Sequence, residues 1–211
     1  MTQPDFETAP FTVIVDTREQ TPWLFKSVMV RQSTVLTKKM LDELPPGDIL
    51  SAQVGDRIEL KRPLVVKTKA KGLKTGDYSF FGPIRPGEQI EWWDDNDFCL
   101  ERKSLPDALS TFTDGRQRFE HELSRMAEFN FAAVVLEFSH YQMMHKIPDD
   151  RKVKPQTLDE SIRAWRQRYG VHFLFNENRA FAELNALREM RRFWNDQREK
   201  KEQWKWQIAW Y

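Results

Sequence analysis

From Phe98 onward, short apolar segments alternate with segments of helical periodicity, and this alternation restricts the fold more than any other feature of the sequence. Residues 131–138 (FAAVVLEF) have the composition of a buried strand, and residues 116–129 before them repeat apolar side chains at helical spacing. A strand at 171–175 and a long helix from Asn178 continue the series. Strands that alternate with helices are typical of a mostly parallel sheet covered by helices. The sequence therefore predicts an α/β fold.

Other elements are predicted from local signals. Residues 30–44 are predicted to form a helix, and residues 49–81 a series of short strands separated by glycine and proline. Ser104, followed by a proline and then an acidic residue, is predicted to cap a helix. The capping-box pattern of residues 157–160 (TLDE) predicts the start of a helix that Gly170 ends.

Composition excludes several classes of protein. The formal net charge is +1, so only local clustering of charge could indicate a nucleic-acid partner. The single cysteine, Cys99, excludes an intramolecular disulfide and a cysteine-rich zinc site. The first residues lack the pattern of a signal peptide, and no segment approaches the roughly 20 apolar residues of a membrane helix. We therefore expect an intracellular, cytoplasmic protein that does not bind a membrane.

Charged side chains follow two of the predicted strands and form a pattern suited to metal chemistry. Residues 11–15 (FTVIV) are followed directly by Asp16, and the strand at 98–102 ends in the charged residues Glu101 and Arg102. Glu101 and Lys103 lie two residues apart, so an extended backbone places them on the same side. Asp77 follows a glycine upstream of them. Carboxylates that hold a hard cation, beside a lysine that orients water, are suited to the hydrolysis of phosphodiester bonds.

Three ordered motifs give this pattern a family resemblance. They are Asp16-Thr17-Arg18-Glu19 after the first strand, Gly76-Asp77, and Glu101-Arg102-Lys103 with Asp107 four residues later. Together with Gly115-Arg116 and the apolar strand that follows, they resemble the nuclease domain of the XPF family of structure-specific endonucleases. Within this family, the short stand-alone members from bacteria and phages resemble this sequence more than the larger members do.

The resemblance implies a restriction-endonuclease-like mixed central sheet flanked by helices. It implies DNA as partner and Mg²⁺ as cofactor, with Mn²⁺ able to substitute. The residues that it assigns to the metal are Asp16, Asp77 and Glu101, and Lys103 joins them in catalysis. The residues that it assigns to supporting or phosphate-binding positions are Arg18, Glu19, Arg102 and Asp107, and Arg116 is assigned to the DNA backbone. Asp107 either fixes Lys103 or caps a helix, and the pattern from Ser104 to Asp107 favours the cap.

The chain also departs from the larger members of the family. They carry a tandem helix-hairpin-helix domain, whereas this sequence has no glycine after Gly170. We expect a nuclease domain over 1–194, with a basic, β-rich insertion at about 45–75, and a tryptophan-rich helical extension over 195–211. The tryptophans of that extension are predicted to dock on the domain, on a second copy as a homodimer, or on a protein partner. Stacking on DNA bases is the other interpretation.

The basic segment before Gly76 has two interpretations. Its six basic residues are Lys61, Arg62, Lys67, Lys69, Lys71 and Lys74, and no acidic residue lies among them. They protect a solvated strand edge in one interpretation. In the other they face phosphates, so Lys67, Lys69, Lys71 and Lys74 are candidate DNA contacts.

The leading hypothesis is an active, metal-dependent DNA endonuclease of DNA repair, recombination or phage DNA processing. The alternative is a catalytically silent DNA-binding or scaffold subunit of a nuclease complex. Silent relatives typically lose the motif residues, so the presence of Asp77, Glu101 and Lys103 favours the active enzyme.

Overall fold

The computed structural model describes residues 7–26, 28–42, 53–83, 91–92, 97–147, 153–197 and 207–208. The chain divides into two compact units. The small unit comprises Met1–Ala9, Lys26–Val65 and Lys205–Tyr211, and the large unit comprises Pro10–Phe25 and Val66–Trp204.

The described residues form strands and helices in the following order along the chain. The strands are β1 (Glu7–Val15), β2 (Met29–Val35), β3 (Arg57–Ala70), β4 (Tyr78–Pro83), β5 (Glu91–Trp92), β6 (Phe98–Lys103), β7 (Phe131–Leu136), β8 (His172–Phe175) and β9 (Gln207–Ile208). The helices are α1 (Lys38–Asp42), α2 (Leu105–Phe112), α3 (Arg116–Met126), α4 (His140–His145), α5 (Pro155–Tyr169) and α6 (Arg179–Asp196). None of these helices combines the length and the apolar character that crossing a bilayer requires.

The large unit is built on a mixed sheet with the strand order β8-β7-β6-β4-β1, and β5 pairs with β4. Strands β6, β7 and β8 run parallel, whereas β4 is antiparallel to β1, β5 and β6. The predicted mixed α/β sheet is therefore confirmed. The expectation of a mostly parallel sheet, drawn from the alternation of elements alone, is wrong, because β4 enters between β1 and β6 in the opposite direction.

Helices cover both faces of this sheet. Alternate side chains of a strand point to opposite faces, and in β6 Phe98 contacts Phe193 of α6 with ring centroids 5.3 Å apart. The next residue, Cys99, belongs to the core cluster on the other face, which includes Phe112, Leu123 and residues of α5. Both faces of β6 are thus used for packing, and its charged residues lie at the end of the strand.

The small unit contains an antiparallel arrangement of β2, β3 and β9. All seven residues of β2 pair with the first half of β3, from Arg57 to Pro63, and the short β9 pairs with the other edge of β2. The predicted helix over 30–44 is wrong for most of its length, because Val30, Thr34 and Val35 favour an extended backbone and gain a strand partner there. Only α1 is helical in that range.

Three predicted helix ends agree with the structure, and two other local predictions do not. The N-cap at Ser104, the helix from Asn178 and the left-handed end of α5 at Gly170 (φ 68°) are confirmed. The capping box at Thr157 is wrong, because Pro155 already occupies the first turn of α5. Instead of several short strands before Gly76, the structure has the single 14-residue β3.

Two predicted segments lie partly outside the described residues. In the basic insertion, residues 45–52 are not described, and those that are described are rich in β structure. In the tryptophan-rich extension, the described residues past the end of α6 and Gln197 are those of β9, which is a strand.

Candidate active site

Asp16 lies directly after β1 and is buried, with both carboxylate oxygens engaged. Oδ1 accepts hydrogen bonds from the amide and Nε of Arg18, at 2.8 and 2.7 Å. Oδ2 accepts from Nη2 of Arg18 at 3.1 Å and from the amide of Leu73 at 2.6 Å. Burial alone would raise the pKa of Asp16, but the hydrogen bonds from Arg18 and Leu73 lower it below its ordinary value. Asp16 is therefore an ionised anchor for Arg18 and for the loop that contains Leu73.

Asp77 is held between β1 and β6 by hydrogen bonds of its backbone. Its carbonyl accepts from the amide of Asp16 at 2.8 Å, and its own amide donates to the carbonyl of Leu100 at 2.8 Å. Gly76 before it has a φ of 77°, and a Cβ atom there would overlap Cys99 and the carbonyl oxygen of Leu100. Only glycine suits this turn, which brings Asp77 up against β6.

Glu101 and Lys103 share one side of β6, as their spacing predicts. Nζ of Lys103 forms an ion pair with Oε1 of Glu101, and both side chains are largely buried, with exposed fractions of 15% and 7%. The amide of the intervening Arg102 donates to Oδ2 of Asp77 at 2.8 Å. The structure therefore brings Asp77, Glu101 and Lys103 together.

The charges of these three residues are strongly coupled. Burial raises the pKa of Asp77, although the amide of Arg102 and the ammonium of Lys103 act against the increase. Burial also raises the pKa of Glu101, and the negative charge of Asp77 adds to the effect. Burial acts to lower the pKa of Lys103, but Glu101 and Asp77 hold it above its ordinary value. The site thus keeps a protonated lysine beside two carboxylates that are costly to ionise.

Arg102 is surrounded by protein acceptors. Its guanidinium forms a two-point contact with Glu137, at 2.7 Å from Nε to Oε1 and 2.9 Å from Nη2 to Oε2. Nη1 donates to Glu19 at 3.2 Å and to Oγ1 of Thr21 at 2.9 Å. The Arg102 side chain is only 10% exposed. This arrangement suits an internal connection between loops, whereas binding phosphate would require Arg102 to exchange these partners.

Asp107 and Arg116 lie on the helices that follow β6. The amide of Asp107 donates to Oγ of Ser104, and that hydroxyl donates to Oδ2 of Asp107 at 2.5 Å, so Asp107 takes part in the cap of α2. Arg116 donates to Oγ of Ser161 at 2.7 Å, and its guanidinium lies 4.7 Å from the ring centroid of Trp165. Arg116 thus packs against α5 while remaining 43% exposed.

The four lysines proposed as DNA contacts are all exposed. They are Lys67, Lys69, Lys71 and Lys74. Nζ of Lys69 lies 5.5 Å from the ring centroid of Phe81. Leu73, between the last two lysines, donates its amide to Asp16 and accepts at its carbonyl from Arg18 at 3.0 Å. Leu73, near the end of the basic segment, is therefore hydrogen-bonded to Asp16, the residue directly after β1.

The model of one known protein family matches most of this chain. Residues 15–184, more than half of the chain, match the model of the ERCC4 domain. The chain belongs to the ERCC4 domain family. The resemblance to XPF-type nuclease domains is thereby confirmed, and the chain is assigned to a family of nuclease domains.

Solved structures similar to this ERCC4 domain include XPF from Aeropyrum pernix, alone and in complex with DNA. Each has 18% sequence identity and a TM-score of 0.48, and each match covers 85% of this chain and 63% of the other. The chain thus spans less than two thirds of the length of those relatives. Comparison with curated proteins gave no match.

The donor atoms of this ERCC4 domain suit a hard divalent cation. Within the described ranges, no three His, Cys, Asp or Glu side chains form a complete cage for a metal. Mg²⁺ nevertheless needs only one or two carboxylates, since it keeps several waters and binds substrate phosphate. Asp77 and Glu101 are desolvated and repel each other, so a cation bound by them would stabilise both ionised forms.

Two carboxylates near the site of the ERCC4 domain were missed by the sequence analysis. Oε1 of Glu122, on α3, accepts from the amide of Gly76 at 3.5 Å, and its charge helps to raise the pKa of Asp77 and Glu101. Glu137 follows β7 and binds Arg102. Helical spacing assigns Glu122 only to the polar face of its helix. The position of Glu137 directly after an apolar strand, like that of Asp16, is the signal that could have identified it.

Proposed function

We propose that this chain is a DNA endonuclease that depends on a divalent metal ion and hydrolyses phosphodiester bonds. The observation that carries the proposal is the contact of Lys103 with Glu101 in β6, with Asp77 joined to the same strand through the amide of Arg102. Glu101 and Lys103 come from β6 and Asp77 from the turn before β4, in a domain that belongs to a nuclease family. Membership alone would equally fit a silent subunit, whereas the geometry of these residues favours an active one.

The roles of the residues follow from their surroundings. Asp77 and Glu101 would hold Mg²⁺ or Mn²⁺, which supplies a Lewis acid and lowers the pKa of bound water. Lys103, kept protonated by the carboxylates, places a positive charge where the phosphate gains negative charge and orients the attacking water. Asp16 is assigned to contact through water, because both of its oxygens already accept hydrogen bonds from the protein.

Arg18 is the group of this site most able to reach DNA. Its side chain is 70% exposed, and because Nε and Nη2 bind Asp16 and Leu73, Nη1 is the nitrogen that would contact phosphate. If the reaction follows the pattern of the family, cleavage leaves a 5′-phosphate and a 3′-hydroxyl. DNA repair, recombination and phage DNA processing are the processes in which such an enzyme would act.

The first experiment is a cleavage assay with a panel of DNAs. Duplex, single-stranded, flap and forked substrates, each labelled at one end, are incubated with Mg²⁺, with Mn²⁺ or with EDTA. A covalently closed circular DNA separates endonuclease from exonuclease activity. We expect internal cleavage of at least one substrate with either metal and no cleavage in EDTA, because the carboxylates alone supply no Lewis acid.

The same panel tests the alternative of a silent subunit. Binding of DNA without cleavage of any substrate, in both metals, would contradict the proposed enzyme and support a DNA-binding or scaffold role. Cleavage that persists unchanged in EDTA would contradict the role of the metal.

A second prediction concerns the basic segment as a DNA contact. Each lysine that neutralises a phosphate contributes about 0.9 to the log–log slope of duplex binding against salt concentration. Replacing Lys67, Lys69 and Lys71 together by serine is therefore expected to flatten the slope by about two to three units and to weaken binding to all sequences alike. Binding is measured by fluorescence anisotropy over a range of salt concentrations.

The matched control is Arg192→Ser, which removes an exposed charge from α6 outside the basic segment. Thermal stability of the triple variant should change little, because exposed side chains contribute little to folding. A salt slope equal to that of the wild type would support the solvated-edge interpretation and assign DNA contact to Arg18 and Arg116.

A further inference from the structure

We propose that Arg179 and Glu137 are positioning residues that hold the motif loop, residues 16–25, against β6 in the geometry needed for cleavage. The inference rests on the proposed function, since it names residues that serve the same site. Neither residue belongs to the motifs that identify the family in this sequence. Both act through other residues: Arg179 through the backbone of the loop, and Glu137 through Arg102 and Trp23.

Arg179 fastens the middle of the motif loop to α6. Its Nη2 donates to two consecutive carbonyls, those of Thr21 at 2.7 Å and Pro22 at 2.9 Å. Its Nη1 donates to Oε1 of Glu137 at 3.3 Å. Arg179 is the first residue of α6, and Asn178 caps that helix by accepting from the amide of Phe181 at 3.1 Å. The backbone of Arg179 is therefore held in place by the capped first turn of α6.

The rest of α6 gives the arginine a rigid base. Leu184, Leu187 and Met190 of this helix are buried. One turn after Arg179, the carboxylate of Glu183 accepts from the amide of Phe25, the last residue of the motif loop. Phe25 is buried and has a φ of 52°, a strained conformation for a residue with a side chain. Two residues of one helix face thus bind the backbone of the loop.

Glu137 connects the motif loop with β6. Its Oε1 accepts from Nε1 of Trp23 at 2.9 Å, in addition to its two-point contact with Arg102. The carboxylate is only 7% exposed, so its hydrogen bonds are protected from water. Arg102 in turn binds Glu19 through its guanidinium and Asp77 through its amide. A continuous series of hydrogen bonds therefore runs from α6 to the carboxylate of Asp77.

Loss of this series of hydrogen bonds is expected to lower the catalytic rate more than the affinity for DNA. The motif loop carries Arg18 and Glu19 and begins with Asp16, whose amide donates to the carbonyl of Asp77. A shift of about 1 Å in such a group is enough to lower a catalytic rate by about 10²-fold. Loosening the loop should therefore lower kcat, whereas the exposed lysines proposed as DNA contacts, Lys67, Lys69, Lys71 and Lys74, lie outside the loop.

The test replaces Arg179 by methionine, which keeps a long side chain and removes the donors. The control is Arg192→Met, which removes an exposed arginine of the same helix whose partner is Asp196. We expect Arg179→Met to lower kcat by about 10- to 100-fold, with little change in KM or in the Kd for DNA. Arg179→Lys, which can reach one carbonyl but not both with the same geometry, should recover part of kcat. Arg192→Met should match the wild type.

Hydrogen–deuterium exchange of residues 17–25 gives a readout without catalysis. We expect faster exchange in Arg179→Met and unchanged exchange in Arg192→Met. Glu137→Gln is the second variant: it keeps an acceptor for Trp23 but loses the charge that holds Arg102, so kcat should fall and exchange in the same loop should rise. Glu137→Gln weakens a buried ion pair and can impair folding. If this variant does not fold, the test of the inference rests on Arg179→Met.

The outcomes separate this inference from the proposed function. A kcat of Arg179→Met equal to that of Arg192→Met would overturn the inference, as would a loss of DNA affinity with unchanged kcat, since Arg179 would then contact DNA. If the wild type cleaves no DNA, the proposed function fails. Faster exchange of the loop in Arg179→Met would in that case still support its attachment to α6, and unchanged exchange would overturn it.

Discussion

Replacing Asp77 by asparagine is expected to lower the rate of DNA cleavage by about 10³-fold, because losing a metal-binding carboxylate costs several kcal/mol of stabilisation in the transition state. The amide side chain has the same shape and can still accept from the amide of Arg102. Burial raises the pKa of Asp77, so its ionised form is costly in the folded protein without metal. The neutral side chain should therefore leave the melting temperature in EDTA unchanged or raise it.

Single-turnover cleavage and thermal unfolding measure the two effects side by side. Asp196→Asn, at an exposed position of α6, is the matched control for the chemical change. DNA binding by Asp77→Asn should be retained, since the substitution removes a negative charge. A variant that keeps a tenth of the wild-type rate would refute the assignment of Asp77.

Replacing Lys103 by methionine is expected to lower the cleavage rate by about 10²-fold, the scale of losing one charge-stabilising donor. The Kd for DNA should change much less, because a single ammonium beside the attacked phosphate acts mainly in the transition state. The substitution also leaves the buried Glu101 without its ion-pair partner, so stability should fall as well. Pre-steady-state cleavage and DNA titrations separate turnover from affinity.

A double variant tests whether the loss of stability comes from the unpaired charge of Glu101. Adding Glu101→Gln to Lys103→Met removes the unpaired charge and should restore much of the melting temperature, without restoring cleavage. Recovery of cleavage together with the melting temperature would contradict the assignment of both Lys103 and Glu101 to the reaction. A loss of DNA affinity alone in Lys103→Met would move this residue from catalysis to binding.

The parts of the fold that the sequence predicts correctly are those determined by local interactions. Ser104, Asn178 and Gly170 mark helix ends because their side chains or backbone freedom satisfy the end of the helix itself. The extended conformation of β2 and the direction of β4 depend on which strand lies beside them. That information is carried by residues distant in sequence, so the predicted helix over 30–44 and the mostly parallel sheet were wrong.

The same distinction applies to the candidate site. Spacing within one strand is enough to place Glu101 and Lys103 on one side of β6, and the ion pair agrees with it. The partners of Arg102 could not be predicted, because Glu137 and Glu19 arrive from separate loops. Spacing likewise gives no indication that the amide of Leu73 donates to the carboxylate of Asp16, since the two residues lie 57 positions apart.

The hydrogen bond between Arg179 and Thr21 joins residues 158 positions apart, and this separation decides when the proposed active site can be completed during synthesis. A growing chain that has left the ribosome only as far as β8 already contains Asp77, Glu101 and Lys103. It lacks the helix that fastens the motif loop, and the ordering of that loop must wait until α6 has emerged and packed. On the proposed function, such a nascent chain would stay short of full activity until α6 has been translated.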